Sequence, residues 1–265
     1  MLGRVLIIAG SDPSGGAGVQ ADIKTVTALG GYAASAITSL TIQNTTGVSG
    51  VHPTPPDIIR AQILAVLSDI GADAVKIGMI GEVEAGRVIA DTLNEAAADI
   101  PIVFDPVLAA TSGAALAESG VAALLLERLT PLAAIITPNA DEAAALNGID
   151  INDAQDLKTA AEMLVRRGAT AALAKGGHLQ GAWVEDVLVT QDGAEVFKNR
   201  RIDTTSTHGT GCTLASAIAT GIAQKMPLRG AVERAIDYVR VAIETAPGYG
   251  AGHGPLNHAH PCKTC

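Results

Sequence analysis

Arg4-Val5-Leu6-Ile7-Ile8-Ala9 runs directly into Gly10-Ser11-Asp12-Pro13. A short run that is apolar at consecutive positions and closed by turn residues reads as a strand buried on both faces. It is too short for a signal-peptide core or a membrane span. Comparable runs recur at Ala33 to Ile42, Ala74 to Ile77, Ile102 to Phe104, Ala134 to Ile136 and Ala171 to Ala174, with helical segments between them. This alternation predicts an α/β fold, a mainly parallel central sheet with helices on both faces. Trp183 to Thr190, a Gln191-Asp192-Gly193 turn, and Ala194 to Arg200 predict an antiparallel hairpin appended to the sheet edge. Thr54-Pro55-Pro56-Asp57 supplies an N-cap, a proline in the first turn and an acid at N3 for a helix that Gly71 closes. Two further helices are expected from Gly211 and from Leu228.

With 265 residues, 48% of them hydrophobic and 17% charged, the chain can bury a large core. One domain over residues 1–265 is expected, with about 250–265 as a mobile tail. A net charge of -9 and the lack of a Lys/Arg cluster argue against nucleic acid and anionic membranes as partners. Small-molecule chemistry in the cytoplasm is the expectation. Three cysteines, two of them Cys262 and Cys265, make no disulfide framework for this length. His253, His258 and His260 beside that pair could suggest zinc, but a lone C-x-x-C at a chain end is a weak ligand pattern.

In open α/β sheets ligands bind beyond the carboxyl ends of the strands, and those ends carry the unusual residues here. Thr207-His208-Gly209-Thr210-Gly211-Cys212-Thr213 precedes a helix-forming run. Free N–H groups and the positive end of a helix dipole should converge there on a phosphate or a developing anion. A first-turn cysteine should be more acidic than a free one, which makes Cys212 a candidate base. Gly16-x-Gly18-x-x-Ala21 matches the dinucleotide fingerprint formally, but Thr41-Ile42-Gln43-Asn44 lacks the acid such a site needs. A P-loop fails as well, because Lys24-Thr25 follows Ile23 rather than glycine. Met79, after Val75-Lys76-Ile77-Gly78, could pack on a flat ring. Asn139 or Asp141 could cap a helix whose first turn holds Glu142. Asp105 and Glu142 supply oxygen ligands suited to a magnesium nucleotide. Lys175, beside Gly176-Gly177, suits phosphate charge, and His178 could orient that loop.

Taken in order, several motifs resemble the hydroxymethylpyrimidine/phosphomethylpyrimidine kinases of thiamine biosynthesis, within the ribokinase-like superfamily. They are Gly10 to Gly18 with Gln20-Ala21-Asp22-Ile23-Lys24, then Gln43-Asn44, Lys76-Ile77-Gly78-Met79, Asp105-Pro106-Val107 and Thr137-Pro138-Asn139. Lys175-Gly176-Gly177-His178, His208 to Thr213 and Gly252 to His258 follow. The resemblance implies a three-layer α/β/α kinase that uses ATP as phosphoryl donor with Mg²⁺. Its substrates would be 4-amino-5-hydroxymethyl-2-methylpyrimidine and then its monophosphate. It implies that Gln43 bonds the aminopyrimidine edge, with Gly10, Asp22, Met79 and Val107 shaping that pocket. Cys212 would stand where sugar kinases of the superfamily carry an Asp base. Gly209, Thr210 and Gly211 would form the anion hole with it. Lys175, Asn139 and Thr207 would meet the nucleotide, and Asp105 and Glu142 the magnesium. A homodimer is compatible with this reading.

The chain departs from the family pattern after Asp105, where Val107-Leu108-Ala109-Ala110-Thr111-Ser112-Gly113 stands in place of a segment richer in Met and Lys. Relatives that phosphorylate pyridoxal pair a lid-loop cysteine with the anion-hole cysteine, and that segment has none. A pyridoxal kinase and a non-catalytic pyrimidine-binding sensor are the two alternatives to the pyrimidine kinase.

Overall fold

The computed structural model describes residues 2–110, 113 and 116–262. Thr111 and Ser112 of the loop after Asp105, and Cys265, lie outside them. The first strand, β1 (Arg4–Ser11), pairs in parallel with β2 (Tyr32–Asn44) on one side and β4 (Ala74–Ile77) on the other. Parallel pairing continues through β5 (Ile102–Phe104), β6 (Ala133–Ile136) and β7 (Ala172–Ala174). The hairpin of β8 (Trp183–Thr190) and β9 (Gly193–Arg200) joins β7 antiparallel, as the sequence predicts.

The sequence reading did not include β3 (Gly47–Pro53), which closes the opposite edge antiparallel to β2. Gly47-Val48-Ser49-Gly50-Val51-His52-Pro53 shows no apolar alternation because both of its faces are largely solvated. The sheet order is β3-β2-β1-β4-β5-β6-β7-β8-β9. The chain leaves β1 in one direction to β2 and returns to its other side at β4, so the loops after β1 and β4 flank a crevice where strand order reverses.

Side-chain alternation along β1 sends Leu6 and Ile8 to one face and Val5 and Ile7 to the other. The first face is covered by α2 (Pro56–Asp69), α3 (Val83–Ala96), α4 (Val121–Leu124), α5 (Ala140–Asn147) and α6 (Ala154–Arg166). The second is covered by α1 (Gly18–Ala28), α7 (Thr210–Ala223) and α8 (Leu228–Glu244). Gly71 ends α2 as expected, with φ +71° and its N–H on the Val66 carbonyl. The start of α2 differs from the reading: Pro55 is the N-cap and Pro56 opens the helix, with no side-chain cap. Two adjacent prolines hold the entry extended without help from Thr54.

The expected mobile tail is replaced by an ordered segment through residue 262. Leu256 and His258 are buried, Asn257 N–H donates to the Ala242 carbonyl, and the Tyr238 hydroxyl donates to the His258 carbonyl. Among the described residues no helix is long and apolar enough to cross a membrane.

Ile63 is fully buried on α2, whereas Ile58 of the same helix is 47% exposed. Ile63→Ala should therefore lower the free energy of unfolding in urea by about 2–5 kcal/mol, and Ile58→Ala by about 0.5 kcal/mol or less.

Candidate active site

The start of α7 is shaped by a close approach. Gly209, its N-cap, has φ +79°, and a Cβ there would overlap the Gly16 carbonyl oxygen. A Cβ on Gly16 would in turn overlap the His208 ring. Only glycine fits both positions, and Gly209 also needs the left-handed backbone. No side chain caps α7; the Thr210 N–H donates to the Thr207 carbonyl at 3.3 Å, and the N–H groups of Gly211 and Cys212 have no partner among the described residues and can meet an anion. The helix start points at a charged pair, since a Cβ on Gly211 would stand 3.1 Å from Lys175 Nζ and 3.4 Å from Asp105 Oδ2.

That pair sits at the ends of β5 and β7. Lys175 Nζ donates to Asp105 Oδ1 at 2.9 Å, and the Thr137 hydroxyl donates to the same oxygen at 3.1 Å. Asp105 Oδ2 is buried and has no hydrogen-bond partner among the described residues. An ionised oxygen left bare in that way is costly unless a cation or donor completes it. Glu142 closes a capping box with Asn139: each backbone N–H donates to the other's side chain, at 2.8 and 2.9 Å. The structure thus shows the capping arrangement that the sequence offered for Asn139 and Glu142. Glu142 caps α5, and burial, opposed by Lys175 and reinforced by Asp105, pushes its carboxyl up to about 7. Two carboxylates around Lys175, one with a free oxygen, fit a Mg²⁺ ion that takes its other ligands from phosphate and water.

Lys175 is held in register by a residue the sequence reading passed over. Asp186 on β8 accepts the Gly176 N–H at 2.9 Å, and burial raises its carboxyl to about 6. His178 Nδ1 lies 2.9 Å from Asp141 Oδ2, which ties the Lys175 loop to the start of α5.

Lys76, which the sequence reading quoted in a motif but gave no role, is the second such residue. It is fully buried on β4, with Nζ 2.8 Å from Asp22 Oδ2, while Ser216 donates to Asp22 Oδ1 at 2.7 Å. Burial pushes the Asp22 carboxyl up and the Lys76 ammonium down. With both Asp22 oxygens accepting, the geometry is that of an ion pair, and Asp22, Cys212 and Asp105 together hold Lys76 above the usual lysine range. A lysine within an otherwise apolar strand is the signal that could have revealed it. Asp22 therefore lies beneath the site as a buried counter-ion, not in the wall of a ring pocket as the resemblance implies.

On the crevice side, a Cβ on Gly10 would stand 3.0 Å from Ser39 Oγ and 3.1 Å from Met79 Sδ, which brings Gly10 and Met79 together. Gln43 is half-buried at the end of β2, its Oε1 accepting from the Thr41 hydroxyl at 3.2 Å and its Nε2 3.4 Å from His208 Nε2. His208 Nε2 is 2.8 Å from Asp12 Oδ2, and Asp12 also accepts the N–H groups of Ser14 and Ala17. Val107 is half-buried beyond Asp105, its N–H on the Asp105 carbonyl. The Thr207 hydroxyl lies 3.3 Å from His253 Nδ1, toward the C-terminal segment.

Cys212 reverses the expected acidity. Burial is the largest influence on its thiol, and Asp22 and Asp105 add to it. Lys76 and the Gly18 N–H oppose them, yet the thiol is pushed up to about 12. Burial, reinforced by the two neighbouring carboxylates, outweighs the helix start. The tail histidines, read as a possible zinc set, have separate partners in Thr207, Thr213 and the Tyr238 carbonyl.

A family model described as phosphomethylpyrimidine kinase matches residues 12–257. A hydroxymethylpyrimidine/phosphomethylpyrimidine kinase of Rhizobium meliloti is 46% identical, covering 98% of this chain and 98% of that protein. The thiamine biosynthesis bifunctional protein ThiED of Geobacter sulfurreducens is 49% identical over 97% of this chain, which spans only 52% of that protein. Among solved structures, an ADP complex of Bacillus subtilis pyridoxal kinase superposes with a TM-score of 0.90 at 34% identity, covering 98% of each chain.

Lys76→Ala strands a buried carboxylate and should cost about 3–5 kcal/mol in chemical unfolding, whereas Lys76→Met with Asp22→Leu should recover most of the loss. Cys212 should be alkylated more slowly than exposed Cys262 at pH 7. With its pKa near 12, the Cys212 rate should climb about tenfold per pH unit up to pH 9 without levelling off. Mass spectrometry of each peptide reads both rates.

Proposed function

This chain belongs to the phosphomethylpyrimidine kinase family, and we propose that it phosphorylates 4-amino-5-hydroxymethyl-2-methylpyrimidine and then its monophosphate, with ATP as donor, for thiamine biosynthesis. The enzyme is a kinase. The observation that carries this reading is the convergence of the uncapped start of α7, the Lys175 ammonium and the bare Asp105 oxygen on one point. That combination serves phosphoryl transfer, where catalysis is mostly positioning and charge stabilisation.

In this mechanism Gln43 reads the ring. Its carbonyl accepts from the exocyclic amine and its N–H donates to a ring nitrogen, while Gly10 and Met79 leave room for the flat face. The hydroxymethyl oxygen attacks the terminal phosphorus in line, its O–H bond breaks, and ADP departs. The N–H groups at Gly209 to Cys212 hold the transferred phosphoryl oxygens, and Lys175 offsets their charge. Asn139 and Thr207 lie on the nucleotide side. Asp105, through Oδ2, and Glu142 would hold magnesium. Such an ion would supply neutralisation of phosphate charge. In the small thiolate fraction that its raised pKa leaves, Cys212 accepts the hydroxymethyl proton and becomes the thiol.

The superposition on a pyridoxal kinase favours a vitamin B6 kinase as the second reading. Higher identity to the pyrimidine kinase over 98% of both chains favours the first. An ADP-release assay with hydroxymethylpyrimidine, its monophosphate, pyridoxal and hydroxyethylthiazole separates them. Turnover is expected with the first two, and turnover with pyridoxal alone would transfer the assignment. A silent binding module would release no ADP with any of the four. In the same assay Gln43→Leu should raise the pyrimidine KM about ten- to several-hundred-fold, because it leaves ring polar groups unpaired, with the ATP KM unmoved. An unchanged pyrimidine KM would remove Gln43 from the ring site.

A further inference from the structure

Gly252-His253-Gly254-Pro255-Leu256-Asn257-His258 takes no part in that mechanism, yet it is folded against the site from two sides. The His208 N–H donates to the Gly254 carbonyl at 3.1 Å, and His208 bridges Pro255 in parallel. The His253 N–H donates to the Thr45 carbonyl at 2.8 Å, and a Cβ on Gly252 would overlap that same oxygen. Thr45 lies two residues beyond Gln43. The segment thus joins the turn after the ring-reading residue to the loop that opens the anion site.

Its end reaches α7 itself. His258 is buried, with Nε2 3.0 Å from Thr213 Oγ1. The Thr213 hydroxyl donates to the Gly209 carbonyl at 2.8 Å, and the Thr213 N–H donates to the same oxygen at 2.9 Å. With the hydroxyl proton committed to Gly209, the contact with His258 needs a proton on Nε2. His258 is pinned in turn by the Tyr238 hydroxyl at 2.6 Å from its carbonyl oxygen. No side chain caps α7, and a buried pair of side chains, His258 and Thr213, grips the helix start at the Gly209 carbonyl.

We propose that His258 is a positioning residue for phosphoryl transfer: through Thr213 it holds the Gly209 carbonyl, and so the direction of the first-turn N–H groups of α7. This inference rests on the kinase reading above. Burial, with Lys24 and His260 nearby, pushes the imidazole down to about 4, so it stays neutral throughout the working range. It therefore acts as a fixed donor, not as an acid or base, and its removal should leave the shape of the pH–rate profile unchanged.

The test compares His258→Ala, His258→Gln, Thr213→Val and the Ala/Val double variant. The Gln amide N–H can replace the imidazole donor. His258→Ala and Thr213→Val should each lower kcat about 10- to 100-fold at nearly constant KM for ATP, as expected for a small misplacement of the transition-state site. His258→Gln should recover most of the rate, and the double variant should be no worse than either single one. Alkylation of Cys212 relative to Cys262 needs no substrate. It should accelerate several-fold in His258→Ala and stay at the wild-type rate in His258→Gln. Wild-type kcat in a folded His258→Ala, or additive losses in the double variant, overturns the proposal. Where His258→Ala fails to fold, wild-type kcat in Thr213→Val overturns it equally. A wild-type enzyme inactive on both pyrimidines would remove the functional reading, and the alkylation rates would still decide the role of His258.

Discussion

A side chain on Gly209 would collide with the Gly16 carbonyl, and one on Gly16 would collide with the His208 ring. Two loops from opposite ends of the chain are thus pressed together at the carboxyl edge of the sheet, with no Cβ atoms between them. Asp12 locks the contact by collecting two N–H groups of its own loop together with His208 Nε2. Burial works against its charge, but those hydrogen bonds prevail and hold its carboxyl below the usual range. Gln43 lies within 3.4 Å of His208 as a result, so the residue proposed to read the ring and the start of α7 share one side chain. Loosening the glycine contact would move both at once.

Two buried or nearly buried lysine–aspartate pairs lie under the start of α7, and their unused lone pairs separate scaffold from chemistry. In Lys76–Asp22 both carboxylate oxygens are taken, by Lys76 and by Ser216, and neither side chain is exposed. Nothing is left for a ligand, so the pair stabilises α1, β4 and α7 against one another. In Lys175–Asp105 one oxygen takes Lys175 and Thr137 while the other is bare. That open valence is what the proposed function assigns to a cation. Burial, reinforced by the same two carboxylates, sets the state of Cys212, which explains how a cysteine in the first turn of a helix can be less acidic than a free one.

The fold and the phosphoryl-handling parts do not by themselves select the acceptor. A pyridoxal kinase superposes over nearly all of this chain, with a TM-score of 0.90. An uncapped helix start and a strand-end lysine serve either alcohol, and fold likeness carries no substrate by itself. Discrimination has to come from the strand ends of β1, β2 and β4, where Gly10 lies against Met79 and Gln43 stands beside His208. A planar amide there rewards a ring with paired donors and acceptors and penalises one without them.

The parallel sheet, its helices on both faces and the β8–β9 hairpin were legible in the sequence, because strands buried on both sides are apolar at nearly every position. The glycine-rich loops were legible for a similar reason, since close backbone approach excludes other residues. Edge strand β3 was not, because a solvated edge imposes no pattern on its side chains. Nor was the docking of residues 252–258, whose partners Thr45, His208 and Thr213 are remote along the chain. By itself the sequence determined the architecture and the kinds of group at each strand end, since those follow from local burial and backbone conformation. Which carboxylate remains open, which lysine is already spent and whether Cys212 holds its proton were decided only by the tertiary structure, because charge states depend on distances between residues that the chain keeps far apart.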